Sequence, residues 1–141
     1  MVAQHLSEDF DFGADGLATI EVGEKIISDI VQIGNGVYSP LDRFMGLEEL
    51  KSVLNNNQLL DGTAWTMPII LQTKQVDQAR VNGRDFLVIR SECDRAVCAI
   101  IKSPKVEEIP DMREVSQRWF GTEDGGHPGV KEFLKGGDRI I

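Results

Sequence analysis

The stretch that decides how this chain is read is Ile33-Gly34-Asn35-Gly36-Val37-Tyr38-Ser39-Pro40-Leu41-Asp42-Arg43-Phe44-Met45-Gly46, which joins one helical pattern to another. Gly34 and Gly36 permit positive φ, Asn35 tolerates it, and Pro40 restricts its own backbone and that of Ser39. The segment is therefore a shaped loop rather than a passive linker. It holds no nucleophile, metal cluster or phosphate cradle, so it points to a docking surface before it points to chemistry.

Upstream, Val22, Ile26, Ile27, Ile30, Val31 and Ile33 recur at helical spacing. Glu21 and Glu24 sit at the positive end of the dipole, and Gly34 can close the helix. Downstream, Leu47, Leu50, Val53 and Leu54 form one stripe of a second helix from Leu47 to about Asn55, with Glu48 and Glu49 in its first turn and Asn55-Asn56-Asn57 at its end. Residues 1–18 show no dependable period beyond a short strand near Leu17 to Ile20, which predicts a loosely ordered start.

The middle of the chain is strand-rich. Met67 to Thr73 reads as a strand with Pro68 at its start or on an edge. Phe86 to Arg90 and Ala96 to Lys102 read as a hairpin, with Ala79 to Val81 pairing nearby through Asn82-Gly83. Asn82-Gly83-Arg84-Asp85 is read as a turn, not a catalytic tripeptide. Val106 to Ile109 is a short strand, and Asp111 starts a helix carrying Met112, Val115 and Trp119 that Gly121 stops. A last helix begins at Pro128, carries Val130, Phe133 and Leu134, and ends at Gly136-Gly137. The pattern gives an α+β fold with a mostly antiparallel sheet or small barrel, and no internal repeat.

With 141 residues the chain suits one domain. Fifteen basic against 23 acidic residues leave a charge of −8, and no Lys/Arg cluster with interleaved aromatics stands out, so nucleic acid is disfavoured. Met1 to Phe12 lacks the basic start and apolar stretch of a signal peptide, and no apolar run reaches bilayer length, so no membrane partner and a cytoplasmic location are expected. Cys93 and Cys98 form no disulfide framework or zinc set, and read as buried reduced thiols.

Phe120 to Val130 places His127 among carboxylates and glycines. No matching nucleophile accompanies it, and Pro128 at the first helical position makes a structural reading stronger than an acid/base one. The glycines there lack the ending of a phosphate loop. Tyr38, Phe44 and Met45, with Trp65, suit either a pocket lining or a closed core, and the rigid turn favours an interface.

Three stretches in this order and spacing, Asn35 to Gly46, Leu60-Asp61-Gly62-Thr63-Ala64-Trp65-Thr66-Met67-Pro68-Ile69, and Phe120-Gly121-Thr122 through His127-Pro128-Gly129-Val130, resemble the N-terminal domain of ATP sulfurylase, the sulfate adenylyltransferase. The resemblance runs from about Thr19 to Ile141. Val37 stands where the family usually has Ala, and Arg43 where it usually has Gly. An Arg in a positive-φ position would be strained, so either the turn differs there or this is a divergent member of the family. The family's opening His-Gly-Gly element is not recognisable between His5 and Ile20.

The resemblance implies a PUA-like domain, a small mixed β-barrel with flanking helices over residues 19–141, that precedes a larger nucleotide-binding catalytic domain. The family's catalytic motifs belong to that second domain, so no catalytic, cofactor-binding or metal-binding residue carries over. ATP and Mg are expected only with the catalytic domain. The implied partner is that catalytic domain, in cis or in trans, with homo-oligomers possible. Asn35, Tyr38, Ser39, Pro40, Arg43, Phe44 and His127 are the candidate interdomain docking residues, and Tyr38, Phe44 and Trp119 are expected to be partly exposed. Two other readings stand beside this one: a freestanding PUA-like module for a protein or small anion, and, more weakly, an RNA-binding PUA domain, which the charge opposes.

Overall fold

The computed structural model describes residues 17–141. The expected loose segment, apart from its last two residues, lies outside them. The elements in order are β1 (Leu17–Val22), α1 (Glu24–Gly34), α2 (Leu47–Asn56), β2 (Gln72–Thr73), α3 (Gln75–Val81), β3 (Phe86–Ser91), β4 (Val97–Lys102), β5 (Glu107–Glu108), α4 (Met112–Phe120), α5 (Pro128–Gly136) and β6 (Arg139–Ile140). They form two compact units, one from residues 17–43 with Ala79–Lys105, the other from Phe44–Gln78 with Val106–Ile141.

The first unit holds a three-stranded sheet in the order β1-β3-β4. Apolar β3 lies in the centre, and Leu87, Val88 and Ile89 are all buried because both faces of a central strand are covered. β4 returns antiparallel through the expected hairpin, with a register shift at Ile89/Arg90. β1 pairs with β3 in parallel, Leu17 opposite Phe86 through Val22 opposite Ser91. A parallel pair needs a long connection, which α1 and the sequence after it supply. Ile30 and Ile33 bury one stripe of α1, which packs against β4.

In the second unit the short sheet runs β2-β6-β5, with both ladders antiparallel. Its centre, β6, had no signal in the sequence. α4 packs on α5 and on α2, over a core that includes Met45, Leu50, Leu71, Val130 and Phe133. Asp111 caps α4 by accepting from the N–H groups of Arg113 and Glu114, both at 3.0 Å, and Gly121 closes it at φ 74°.

The α+β class therefore stands, with three of the four ladders antiparallel. The strands form two three-stranded sheets, and among the described residues no ladder closes them into a barrel. Other local expectations are corrected. Val22 ends β1 instead of opening α1, because Gly23 intervenes as the cap. Ala79 to Val81 is helical, and Asn82-Gly83, with Gly83 at φ 77°, follows a helix rather than joining two strands; both turns demand a positive φ, so the dipeptide alone does not choose. The strand expected over Met67 to Thr73 shrinks to β2, although Ile69, Ile70 and Leu71 are buried. Cys93 is exposed and Cys98 half-buried, not the expected core thiols, because the polar hairpin carries them at the surface.

Candidate docking surface

Residues 34–43 leave α1 in a succession of turns. Asn35 and Gly36 donate back to Val31 and Ile33 at 2.9 and 3.1 Å, Val37 to Gln32 at 2.9 Å, Ser39 to Gly36 at 3.1 Å and Leu41 to Tyr38 at 2.8 Å. Gly36 takes the positive φ the sequence reserves for it, whereas Asn35 is right-handed. The Ser39-Pro40 peptide is cis. Buried Leu41 anchors the far end.

The backbone thus pins itself and presents its side chains outward. Asn35, Ser39, Pro40 and Arg43 are exposed, Tyr38 is half-buried, and Val37 is 64% exposed. The Tyr38 hydroxyl donates to Asp29 on α1 at 3.2 Å. Burial pushes the Asp29 carboxyl above its ordinary range, against the lowering effects of the Tyr38 bond and of Lys25. Arg43 pairs with Asp42 at 3.2 Å on open surface, a contact that adds little stability. Arg43 does not take a positive φ, so the turn carries no such strain there.

Phe44 departs from the docking set. It is 4% exposed, because the chain enters the second unit there and Met45 donates to the carbonyl of Ile69 at 2.8 Å. A side chain in that core presents nothing to a partner.

In the second unit, residues 121–127 form a self-bonded loop between α4 and α5. Thr122 Oγ1 accepts from the Asp124 N–H at 3.1 Å, and Asp124 Oδ1 from the Gly126 N–H at 2.9 Å. The His127 N–H donates to the Asp124 carbonyl at 2.9 Å. His127 is the cap residue of α5, as its place before Pro128 suggests, but its side chain makes no capping bond. Its ring lies 5.6 Å from Phe120, which stacks on half-buried Trp119 at 4.7 Å. Tyr38 and Trp119 thus keep the expected partial exposure.

A shallow cavity of about 540 Å³ opens beside this loop, lined by Arg113, Ser116, Gln117, Glu123, Asp124 and Leu134 among others. His127 is not in its wall, so the imidazole does not face a group bound there. Among the described residues no three His, Cys, Asp or Glu side chains converge as a metal-ligand set. Trp65 lies half-exposed between exposed Leu60 and Met67, a grouping the sequence reading missed because it assigned Met67 to a strand.

A family profile described as a PUA-like domain matches residues 1–141. This chain belongs to the PUA-like domain family. Among curated proteins, this PUA-like domain is 30% identical over 129 residues to the sulfate adenylyltransferase of Cenarchaeum symbiosum, covering 91% of this chain and 33% of that protein. It is 34% identical over 135 residues to the sulfate adenylyltransferase of Gibberella zeae, covering 88% of this chain and 23% of that protein. The chain therefore spans about a third or less of the relatives it matches, and the part matched is their N-terminal part. Among solved structures, the domain resembles a hexameric APS kinase from Thiobacillus denitrificans, with a TM-score of 0.57 and 27% identity over 67% of this chain and 19% of that one. Among the described residues no helix is long and apolar enough to cross a membrane.

Proposed function

We propose that this PUA-like domain is the N-terminal structural and docking domain of a sulfate adenylyltransferase, the enzyme that converts ATP and sulfate to adenylyl sulfate and pyrophosphate. The observation that carries the reading is the match of nine tenths of this chain to about a third of enzymes of that name. The rest of such an enzyme holds the ATP, the Mg and the reacting groups, and this domain is inactive alone. Docking uses the outward face of residues 34–43, with Asn35, Tyr38, Ser39, Pro40 and Arg43, and the loop ending at His127. The rigidity of both loops supports that role, since a preorganised surface loses little freedom on binding. A cytoplasmic setting and self-association belong to the same proposal.

The test is pyrophosphate release from ATP and sulfate, with this chain alone and with the separately expressed catalytic part from the same source. Release in the mixture only, together with a complex, is the expected result. Release by this chain alone overturns the reading, and no release with no complex turns it into a freestanding binding module.

A further inference from the structure

The loops just assigned to docking leave one motif of the sequence unused, the segment from Asn57 to Met67. Its backbone is closed on itself. Trp65 donates to the Asn57 carbonyl at 2.8 Å, Leu59 to Thr63 at 2.8 Å and Gly62 to Leu59 at 3.0 Å. Gln58 bridges Ala64 across the loop. Asp61 Oδ1 accepts from the Thr63 N–H at 2.8 Å, and the Trp65 indole N–H donates to the Met67 carbonyl at 2.6 Å. Gly62 takes the required positive φ of 89°, and Leu59 anchors the base in the core.

Among its exposed polar residues this bracket also displays large apolar side chains. Leu60 is 59% and Met67 48% exposed, with the Trp65 ring held between them in sequence by its bond to the Met67 backbone. A flexible loop of polar composition would need no such scaffold. Here the hydrogen bonds of the segment fix a backbone that leaves Leu60 and Met67 exposed and Trp65 half-buried, and Trp and Met are residue types enriched at interface cores. Rigid presentation also removes the ordering cost of binding.

We infer that this bracket is an interaction surface whose Leu60, Trp65 and Met67 seat against an apolar patch on the catalytic part of the same sulfate adenylyltransferase. The inference rests on the function proposed above. Two observations select this occupant over a second copy of the domain. The curated relatives carry roughly twice as much further chain as the part matched here, so a tethered partner is at hand. Three side chains also supply only a fraction of the roughly 800 Å² per partner that a stable free-standing interface buries, whereas a partner in the same chain, at millimolar effective concentration, needs far less.

The experiment is a titration of the full 141-residue chain with the separately expressed catalytic part from the same source, followed by calorimetry. Leu60→Asp and Met67→Gln are each expected to weaken binding about tenfold or more, while Val97→Thr, at another exposed apolar position, stays within about twofold. Circular dichroism reports folding, and Leu60→Ser replaces Leu60→Asp if that variant unfolds. Wild-type binding with unchanged affinity in the Leu60 and Met67 variants overturns this inference and leaves the proposed function standing. No wild-type binding removes the proposed function and this inference with it. Sedimentation showing self-association that these variants abolish, with affinity for the catalytic part unchanged, assigns the bracket to a second copy and also overturns the inference.

Discussion

The hydroxyl of Tyr38 donates to Oδ1 of Asp29 at 3.2 Å, so the loop that follows α1 is tied back to the helix it leaves. Each partner alters the proton affinity of the other. Burial, then the Asp29 charge, then the hydrogen bond raise the Tyr38 phenol above 10.0. Burial raises Asp29 above 3.8, and the Tyr38 bond opposes it.

Asp29→Asn is expected to bring the Tyr38 phenol down toward 10.0, because the amide carries none of the negative charge that helps to raise it. The chain has a single tyrosine, so ultraviolet titration of phenolate reads this site alone. An unmoved midpoint would show that the contact is absent in solution.

The same pair gives a stability signature. Asp29 binds its proton more tightly in the folded chain than at the unfolded value near 3.8, so its contribution is complete below that pH and is lost as pH rises through the folded value. Urea denaturation at several pH values should show Asp29→Asn gaining on the wild type across that rise. Tyr38→Phe should shift Asp29 still higher in a carboxyl NMR titration, since it removes a lowering bond.

Arg139 is a buried cation at the centre of the small sheet. It meets Asp138 at 2.8 Å and Glu108 at 3.5 Å, and donates to Gln78 at 3.2 Å. Its carboxylate partners keep much of their solvent contact. Arg139→Met returns them to water and should cost only about 1 kcal/mol. Asp138→Ala leaves a buried guanidinium short of a partner and should cost about 2 kcal/mol or more in denaturant unfolding. The reverse order would mean that Arg139 acts by packing.

Two glycines should separate by what they touch. A Cβ on Gly129 would sit 2.6 Å from the Phe120 ring, which can tilt, so Gly129→Ala should cost about 1–2 kcal/mol and be eased by Phe120→Leu. A Cβ on Gly137, at φ +102°, would strike the Thr73 carbonyl oxygen, and backbone yields less. Gly137→Ala should therefore lower the melting temperature more than Gly129→Ala.

Cys93 lies exposed in the hairpin turn, whereas burial pushes the half-buried Cys98 thiol above 9.0. Iodoacetamide at neutral pH should modify Cys93 first, with mass spectrometry of peptides locating the label. Equal rates would mean that the hairpin opens readily.

The sequence alone determined what nearby residues settle among themselves. The Asp111 and Gly121 caps fix α4, Pro128 starts α5, the stripe from Leu47 to Leu54 gives α2, and two β-rich runs separated by a polar stretch give the β3–β4 hairpin. The same chain also showed that residues 34–43 are a built loop, and the three spaced motifs carried the resemblance that the family match supports. Tertiary structure alone decided the parallel pairing of β1 with β3, the pairing of Arg139-Ile140 with two distant strands, and the burial of Phe44. The pairings join residues about 30 to 70 positions apart, which no local period records. Asn82-Gly83 and Met67 to Thr73 mark the boundary between the two: their local chemistry permits more than one conformation, and packing against remote apolar surface selects one.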